Sequence, residues 1–365
     1  MWKVDYIIKH KPDWLFEAAA CIEESYLESE SSLIEDPSKF GVNKDGMKSL
    51  FNKYTNYKKA VLLEITPIYN EYQSFKWLFK PIEFDMEKNE SLGVSIVTFW
   101  GSRLSGDLTD NEVDRIMDEF LLNTISDYIT DFPEINKKIN SISDFIDILS
   151  RVSINDSYKM QLIKLYHYRY ENIRKLYEIL SLFVPILKKH FYIIEGDYEK
   201  AMKSLENTED LERLLDDSVG IRLKTKEKCN IYSTIFCFNR FKIELNKDMN
   251  VCYLGIYFLD LVELKEKNKF NDIEIISALK ALGDTTRLKI IHILSEQKMY
   301  LQELSEALSL TPATVSHHIN TLLKCDLISI TVGEENARKV FYEVNDLKLE
   351  SIGNSIKSLA TINIK

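Results

Sequence analysis

Glycine and proline are scarce in this sequence, 11 and 7 among 365 residues. So little turn chemistry argues against loop-rich all-β folds and against low-complexity linkers. Cysteine is sparse as well: Cys21, Cys229, Cys237, Cys252 and Cys325. The number is odd and no pair has C-x-x-C spacing, so neither a disulfide framework nor a zinc knuckle is expected. Reduced, buried thiols are the ordinary reading. The stretch holding Cys229, Cys237 and Cys252 leaves a redox or soft-metal sensor as the alternative. No apolar run approaches the roughly 18 residues of a membrane span. The N-terminus, Met1 to His10, carries charges where a signal peptide would need an apolar core. A cytoplasmic protein with no membrane partner is therefore expected. Nucleotide, zinc-hydrolase, nucleophile-elbow and EF-hand signatures are all missing. Gly41 to Ser49 superficially resembles a phosphate loop, but Met47 separates Gly46 from Lys48 and no strand precedes it. No catalytic residue, metal or cofactor is assigned, and the chain is not read as an enzyme.

Positive charge is also short, with 47 Lys and Arg against 57 Asp and Glu, a net charge of −10. Bulk charge would not hold this protein on nucleic acid or an anionic membrane. The deficit is uneven. Residues 271–365 carry ten basic and twelve acidic residues, a net of −2, which leaves −8 for residues 1–270.

What is present is helical periodicity. Residues 12–30 mix apolar and acidic positions at helical spacing, and residues 46–56 and 60–80 do the same with an interruption expected at Pro67. Thr109 and Glu112 form a capping signature ahead of an apolar stripe running to about residue 130. Further helices are read over 157–187 and 197–217. Ile231–Phe238, Phe241–Leu245 and Val251–Phe258 read as two or three short antiparallel strands. The fold class expected is mainly α: a helical N-terminal domain with a small antiparallel β element, then a second unit. A polar run over 263–270 sets the domains at 1–265 and 271–365. The first domain holds all four Trp and a Tyr-rich helix. Those aromatics form either core and dimer contacts or a pocket for a small organic effector.

The second unit is the more legible. Ile275, Ile276, Leu279 and Leu282 mark a helix ending at Gly283, and Asp284 or Thr285 caps the next, with Leu288, Ile290, Ile291 and Leu294. A third helix presents Leu301, Leu304 and Leu308. Thr311 caps a fourth with Pro312 at its first position. This is a helix-turn-helix layout. In the fourth helix Val315, Ile319, Leu322 and Leu323 face inward, while Ala313, Thr314, His317, Asn320, Thr321 and Lys324 fall on the other side, with Ser316 and His318 on the flanks. No acidic residue occurs between Glu306 and Asp326. Short polar groups without carboxylates suit a helix that enters a major groove. Two strands, 327–332 and 340–344, follow as a hairpin whose loop ends in Arg338 and Lys339, a suitable wing for backbone phosphate. His317 and His318 point about 100° apart on a helix, so they cannot readily chelate one ion. Arg287 is open to two roles, a phosphate contact or a pair with an internal acid. Cys325 is read as packing.

These residues resemble the winged helix-turn-helix of the ArsR/SmtB family of bacterial transcriptional regulators. The likeness rests on Ala278 to Ile290 (ALKALGDTTRLKI) and Leu304 to Leu322 (LSEALSLTPATVSHHINTL). It implies a homodimeric, DNA-binding repressor on an inverted-repeat operator in double-stranded DNA. Together with the helix faces it gives the DNA-binding set Thr311, Thr314, Ser316, His317, His318, Asn320, Thr321, Lys324, Arg338 and Lys339. The family's metal sensors carry a cysteine pair in the third helix, or Asp, His and Glu pairs in the last. Here Tyr300 to Ser305 has no Cys and residues 346–359 have no His, so metal sensing by those routes is not expected. Two other readings stay open: an enzymatic or ligand-binding N-terminal module with the winged helix as its output, and a winged helix used only for protein contacts.

Overall fold

A computed structural model describes residues 6–27, 33–35, 37–40, 42–84, 87–89, 91–125, 138–152, 154–208, 221–223, 228–245, 250–267, 272–332 and 340–361. The N-terminal part runs β1 (Tyr6–Lys9), α1 (Trp14–Leu27), α2 (Lys44–Leu50), α3 (Asn52–Asn70) and a small hairpin of β2 (Ile82–Phe84) and β3 (Glu87–Asn89). Then follow α4 (Leu92–Trp100), α5 (Asp110–Ile125), α6 (Ile142–Ser150), α7 (Asp156–His167), α8 (Arg169–His190) and α9 (Glu195–Glu206). Side chains start these helices. Asn43, Ser91, Ser141 and Asn155 each accept a backbone N–H, satisfying donors the first turn would otherwise orphan. At α5 the expected box closes: Glu112 N donates to Thr109 Oγ1 at 3.3 Å and Thr109 N to Glu112 Oε2 at 2.8 Å.

Helix α8 runs through the core, burying Ile173, Leu176, Ile179, Leu180, Phe183 and Leu187 and packing on α1, α3 and α5. The helix read over 157–187 is two helices, α7 and α8, meeting at Tyr168. The interruption expected at Pro67 does not occur, and α3 continues to Asn70. Proline removes one N–H; the carbonyl four residues back is that of Leu63, whose side chain is 77% exposed, so water can take it.

The expected strands form as β5 (Cys229–Thr234), β6 (Phe241–Leu245) and β7 (Asn250–Gly255). β6 and β7 pair antiparallel, with Ile243 opposite Cys252. The sheet also holds parallel ladders, β5 with β7 and β1 with β5, in the order β1-β5-β7-β6. Its edge strand comes from the start of the chain, so no local alternation signals it. Gly255, at the end of β7, lies so close to the preceding turn that a Cβ would sit 2.2 Å from the Phe238 carbonyl oxygen. Helix α10 (Phe258–Lys267) follows.

Three acidic residues of α1 are buried: Glu17, Glu23 and Glu24. Each is held. The Glu17 carboxylate accepts Ile235 N at 2.8 Å and Phe236 N at 3.0 Å. Glu23 accepts Ser91 N at 2.5 Å, and Glu24 lies 3.3 Å from Arg240 Nη2 and 3.5 Å from Lys58 Nζ. These acids pin the turn between β5 and β6.

The C-terminal unit has its own core. It comprises α11 (Asp272–Leu282), α12 (Thr285–Glu296), β8 (Met299–Tyr300), α13 (Leu301–Leu308), α14 (Pro312–Lys324), β9 (Ile328–Val332), β10 (Val340–Val344) and α15 (Asp346–Thr361). β10 pairs antiparallel with β9 and with β8. Ile290, Leu304, Val315, Ile319, Leu322 and Leu327 form its centre. The stripe read on α11 is only partly inward. Ala278 and Ala281 are buried, whereas Ile276 and Leu279 are 49% and 44% exposed. Small residues let α11 approach α12 and α14 closely, which turns its larger side chains outward. The sheet also gains a strand from the N-terminal part: β4 (Ile221–Leu223) pairs parallel with β9, placing Ile221 opposite Ile330 and Leu223 opposite Val332. Among the described residues no helix is long and apolar enough to cross a membrane.

Candidate nucleic-acid interface

Helices α13 and α14 are joined by a tight turn. Ser309 takes the left-handed conformation, φ 55° and ψ 42°, and Leu310 N returns to Ser305 O at 3.0 Å, closing α13 in the manner usually given to glycine. Thr311 Oγ1 accepts Thr314 N at 3.2 Å, and the two hydroxyls lie 2.9 Å apart. The far end closes the same way. Asp326 has φ 58°, and Leu327 N reaches Leu322 O at 3.0 Å. The acid-free stretch thus ends on a residue type that tolerates this conformation, and Asp326 lies 3.9 Å from Lys348 Nζ.

Val315, Ile319 and Leu322 anchor α14 in the core. Thr311, Thr314, His317 and Lys324 are exposed, while Ser316, Asn320 and Thr321 are half-buried at the margins. Thr321 Oγ1 donates to His317 O at 3.1 Å, which leaves its lone pairs outward. His318 differs from its neighbour. Its side chain is 15% exposed, with Nδ1 3.7 Å from Asp284 Oδ1. Burial, ahead of the charges of Arg287 and His317, pulls its pKa below the usual histidine value. The rings of His317 and His318 are 6.1 Å apart and inclined at 65°. Arg338 and Lys339 lie outside the described residues.

The Arg287 guanidinium donates from Nε to Ala281 O at 2.7 Å and from Nη2 to Lys280 O at 3.2 Å. It caps the carbonyl end of α11, and its charge also acts on Asp284 nearby. Asp284 caps α12, accepting Thr286 N at 3.0 Å and Arg287 N at 2.9 Å. The Arg287 amide is the main cause holding its carboxyl below the usual range. Gly283 has no positive φ, so α11 relies on Arg287 for its stop.

Two contacts escaped the sequence reading. Ala313, on the outward side of α14, packs against the hydrophobic core of the N-terminal helices. Strand β4 adds to the β9 edge. Three residues of strand after a long helix carry no periodic signal, and an alanine in a polar helix face carries none either.

Residues 284–329 match the family described as bacterial regulatory protein, arsR family. The arsenical resistance operon repressor of Staphylococcus aureus is 28% identical over 90 residues, 25% of this chain and 84% of its own length. The cadmium resistance transcriptional regulatory protein CadC homolog of Staphylococcus aureus is 29% identical over 105 residues, 28% of this chain and 83% of its own. Among solved structures, the transcriptional regulator HlyU from Vibrio vulnificus CMCP6 is 24% identical, covering 27% of this chain and 97% of its own, with a TM-score of 0.20. Most of the chain lies outside these matches.

Proposed function

We propose that the chain is a sequence-specific, DNA-binding transcriptional repressor that acts as a homodimer on an inverted-repeat operator. In this reading residues 271–365 bind DNA and residues 1–265 form a regulatory and dimerisation domain. The observation that carries it is the outward face of α14. Thr314, His317 and Lys324 are exposed along one stripe, and no carboxylate occurs from residue 307 to residue 325. Two such helices would enter successive major grooves roughly 34 Å apart. Thr314 and His317 read bases, with Ser316, Asn320 and Thr321 beside them. Thr311 and Lys324, and Arg338 and Lys339 of the wing, hold phosphates. His318 supports the helix from within. A second copy fits against the apolar side chains left outside on α11 and α15, where Ile276, Leu279, Leu347 and Ile356 are all more than 40% exposed.

Repression is the role printed for the arsenical relative of Staphylococcus aureus, and transcriptional regulation for the cadmium one. The metals in their names are not carried over. The four cysteines of residues 1–265 are buried, burial pushes the Cys229 thiol up to about 12, and Cys325 is the one cysteine of residues 271–365. The ligand-responsive version of this reading is favoured by β4 on the wing sheet and Ala313 on the helical core, since both tie the DNA-reading unit to the N-terminal domain. The test is retardation of DNA from upstream of the protein's own gene. Thr314→Ala with His317→Ala should weaken specific binding at least about thirtyfold, at about 1–3 kcal/mol for each of two base contacts, while the dimer persists in sedimentation. Undiminished binding by the double variant refutes the reading.

A further inference from the structure

The helical domain holds a hollow of about 700 Å³ at its surface. We propose that it binds a small aromatic anion, the ligand that regulates this protein; the regulatory part rests on the DNA-binding reading above. The hollow lies along β1 and just past its carboxyl end, and reaches the adjoining parallel strand β5 at Tyr232. Lys9 closes β1, and its register partner on β5 is Tyr232; both line the hollow.

Its walls suit a flat apolar body. Trp14, Tyr177, Tyr232 and Val184 form them. The Tyr232 ring stacks on Tyr253 at 5.4 Å, and Tyr253 on Phe16 at 3.7 Å. Tyr177 is seated against Gly106, where a Cβ would approach its ring to 2.9 Å. These rings are set before any ligand arrives, so little ordering is lost on binding.

Its rim suits a negative charge. Lys9 and Lys11 line it, and Lys188 Nζ lies 5.7 Å from the Trp14 ring centre. Among the described residues none of these lysines has a carboxylate within 4.0 Å, in a chain whose net charge is −10. His10 is different, since its Nδ1 is 3.2 Å from Glu206 Oε1. Among the described residues the one carboxylate in the wall is Asp13. Both its oxygens are engaged, Oδ1 by Phe16 N at 3.2 Å and Oδ2 by Tyr253 Oη at 2.8 Å. Among the described residues Lys9 and Lys11 thus stand without a carboxylate beside an aromatic hollow, where a carboxylate-bearing ring would satisfy both. The site also has a route to the wing: five residues separate β5, which carries Tyr232, from β4, which pairs with β9.

The test is titration calorimetry of the full-length chain with 2-naphthoate, neutral 2-naphthylmethanol and cationic 2-naphthylmethylamine. Naphthoate should bind saturably at one site per chain, more tightly than the alcohol, with the amine weakest. Lys9→Gln with Lys11→Gln should weaken naphthoate roughly five- to thirtyfold and leave the alcohol unchanged. Ser181→Trp, which fills the hollow, should abolish both. Equal affinity for the three probes, unchanged naphthoate binding in the lysine pair variant, or no saturation at millimolar probe overturns the site. Calorimetry needs no DNA, so the two readings fail separately. Naphthoate binding that leaves DNA retardation unaltered keeps the site and removes its regulatory role.

Discussion

Glu17 makes the stability of the helical domain depend on pH in a direction opposite to that of most carboxylates. Its side chain is wholly buried, and burial outweighs the Ile235 and Phe236 amides to push its pKa from 4.5 up to about 7. The unfolded chain releases this proton near 4.5, while the folded chain keeps it until about 7. The contribution is therefore fully present below pH 4.5 and is lost as pH rises through 7. A gap of about 2.5 pH units corresponds to about 3 kcal/mol, of which about 2.5 falls between pH 5 and pH 8. Asp118, which burial raises to about 6, has the same sign. His318, lowered by burial, has the opposite one: its contribution is present above about 6.5 and is lost as pH falls through its folded value. Glu17→Gln isolates the Glu17 part, since glutamine keeps the shape and cannot titrate. The assay is urea unfolding followed by tryptophan fluorescence. All four Trp lie in the first 100 residues, so the signal reports the helical domain and not the winged unit. Between pH 5 and pH 8 the native protein should lose about 2.5 kcal/mol more than the variant. Parallel pH profiles, or a native protein that gains on the variant as pH rises, would refute the reasoning.

Further outcomes concern single backbone features. Arg287→Ala should destabilise the winged unit by about 0.5–1.5 kcal/mol through the lost hydrogen bonds to the Ala281 and Lys280 carbonyls, seen as faster amide exchange in α11 and α12; an effect confined to the salt dependence of DNA binding would make Arg287 a phosphate contact instead. Ser309→Gly should raise the stability of the winged unit by about 1 kcal/mol, because glycine occupies the left-handed region without the Cβ penalty; calorimetry reads this as a higher unfolding temperature, and a lower one would contradict it. Gly255→Ala should cost roughly 4 kcal/mol or more, since the added Cβ meets backbone rather than a movable side chain. Native-like urea unfolding of that variant would show that the turn after β5 yields more readily than its contacts imply.

The winged unit was legible because its information is local. Thr311 and Pro312, the i, i+4, i+7 spacing of Val315, Ile319 and Leu322, and the absence of acids after Glu306 each act within one or two turns of helix. The same holds for the Thr109–Glu112 box, which formed as read. The face of α11 was not legible in this way. Periodicity marks apolar positions without saying which of two apolar sides meets the core, and Ala278 with Ala281 won that contest by allowing closer packing.

Sequence alone determined the helical character of the chain, the order of its parts and the position of the helix-turn-helix. Tertiary structure alone decided what meets across long separations. Glu17, Glu23 and Glu24 look like a solvated stripe in the sequence; in the fold they are buried because the amides of Ile235 and Phe236 and the cations Arg240 and Lys58 arrive to receive them. β1 and β5 form a parallel ladder across more than 200 residues, and β4 reaches the wing. Lys9, Lys11, Tyr177 and Tyr232 gather around one hollow. Helical signals arise from neighbours three or four residues apart, and a ladder or a cavity has no such repeat. Such features exist once the chain has closed on itself, which is why the N-terminal domain was the less readable of the two.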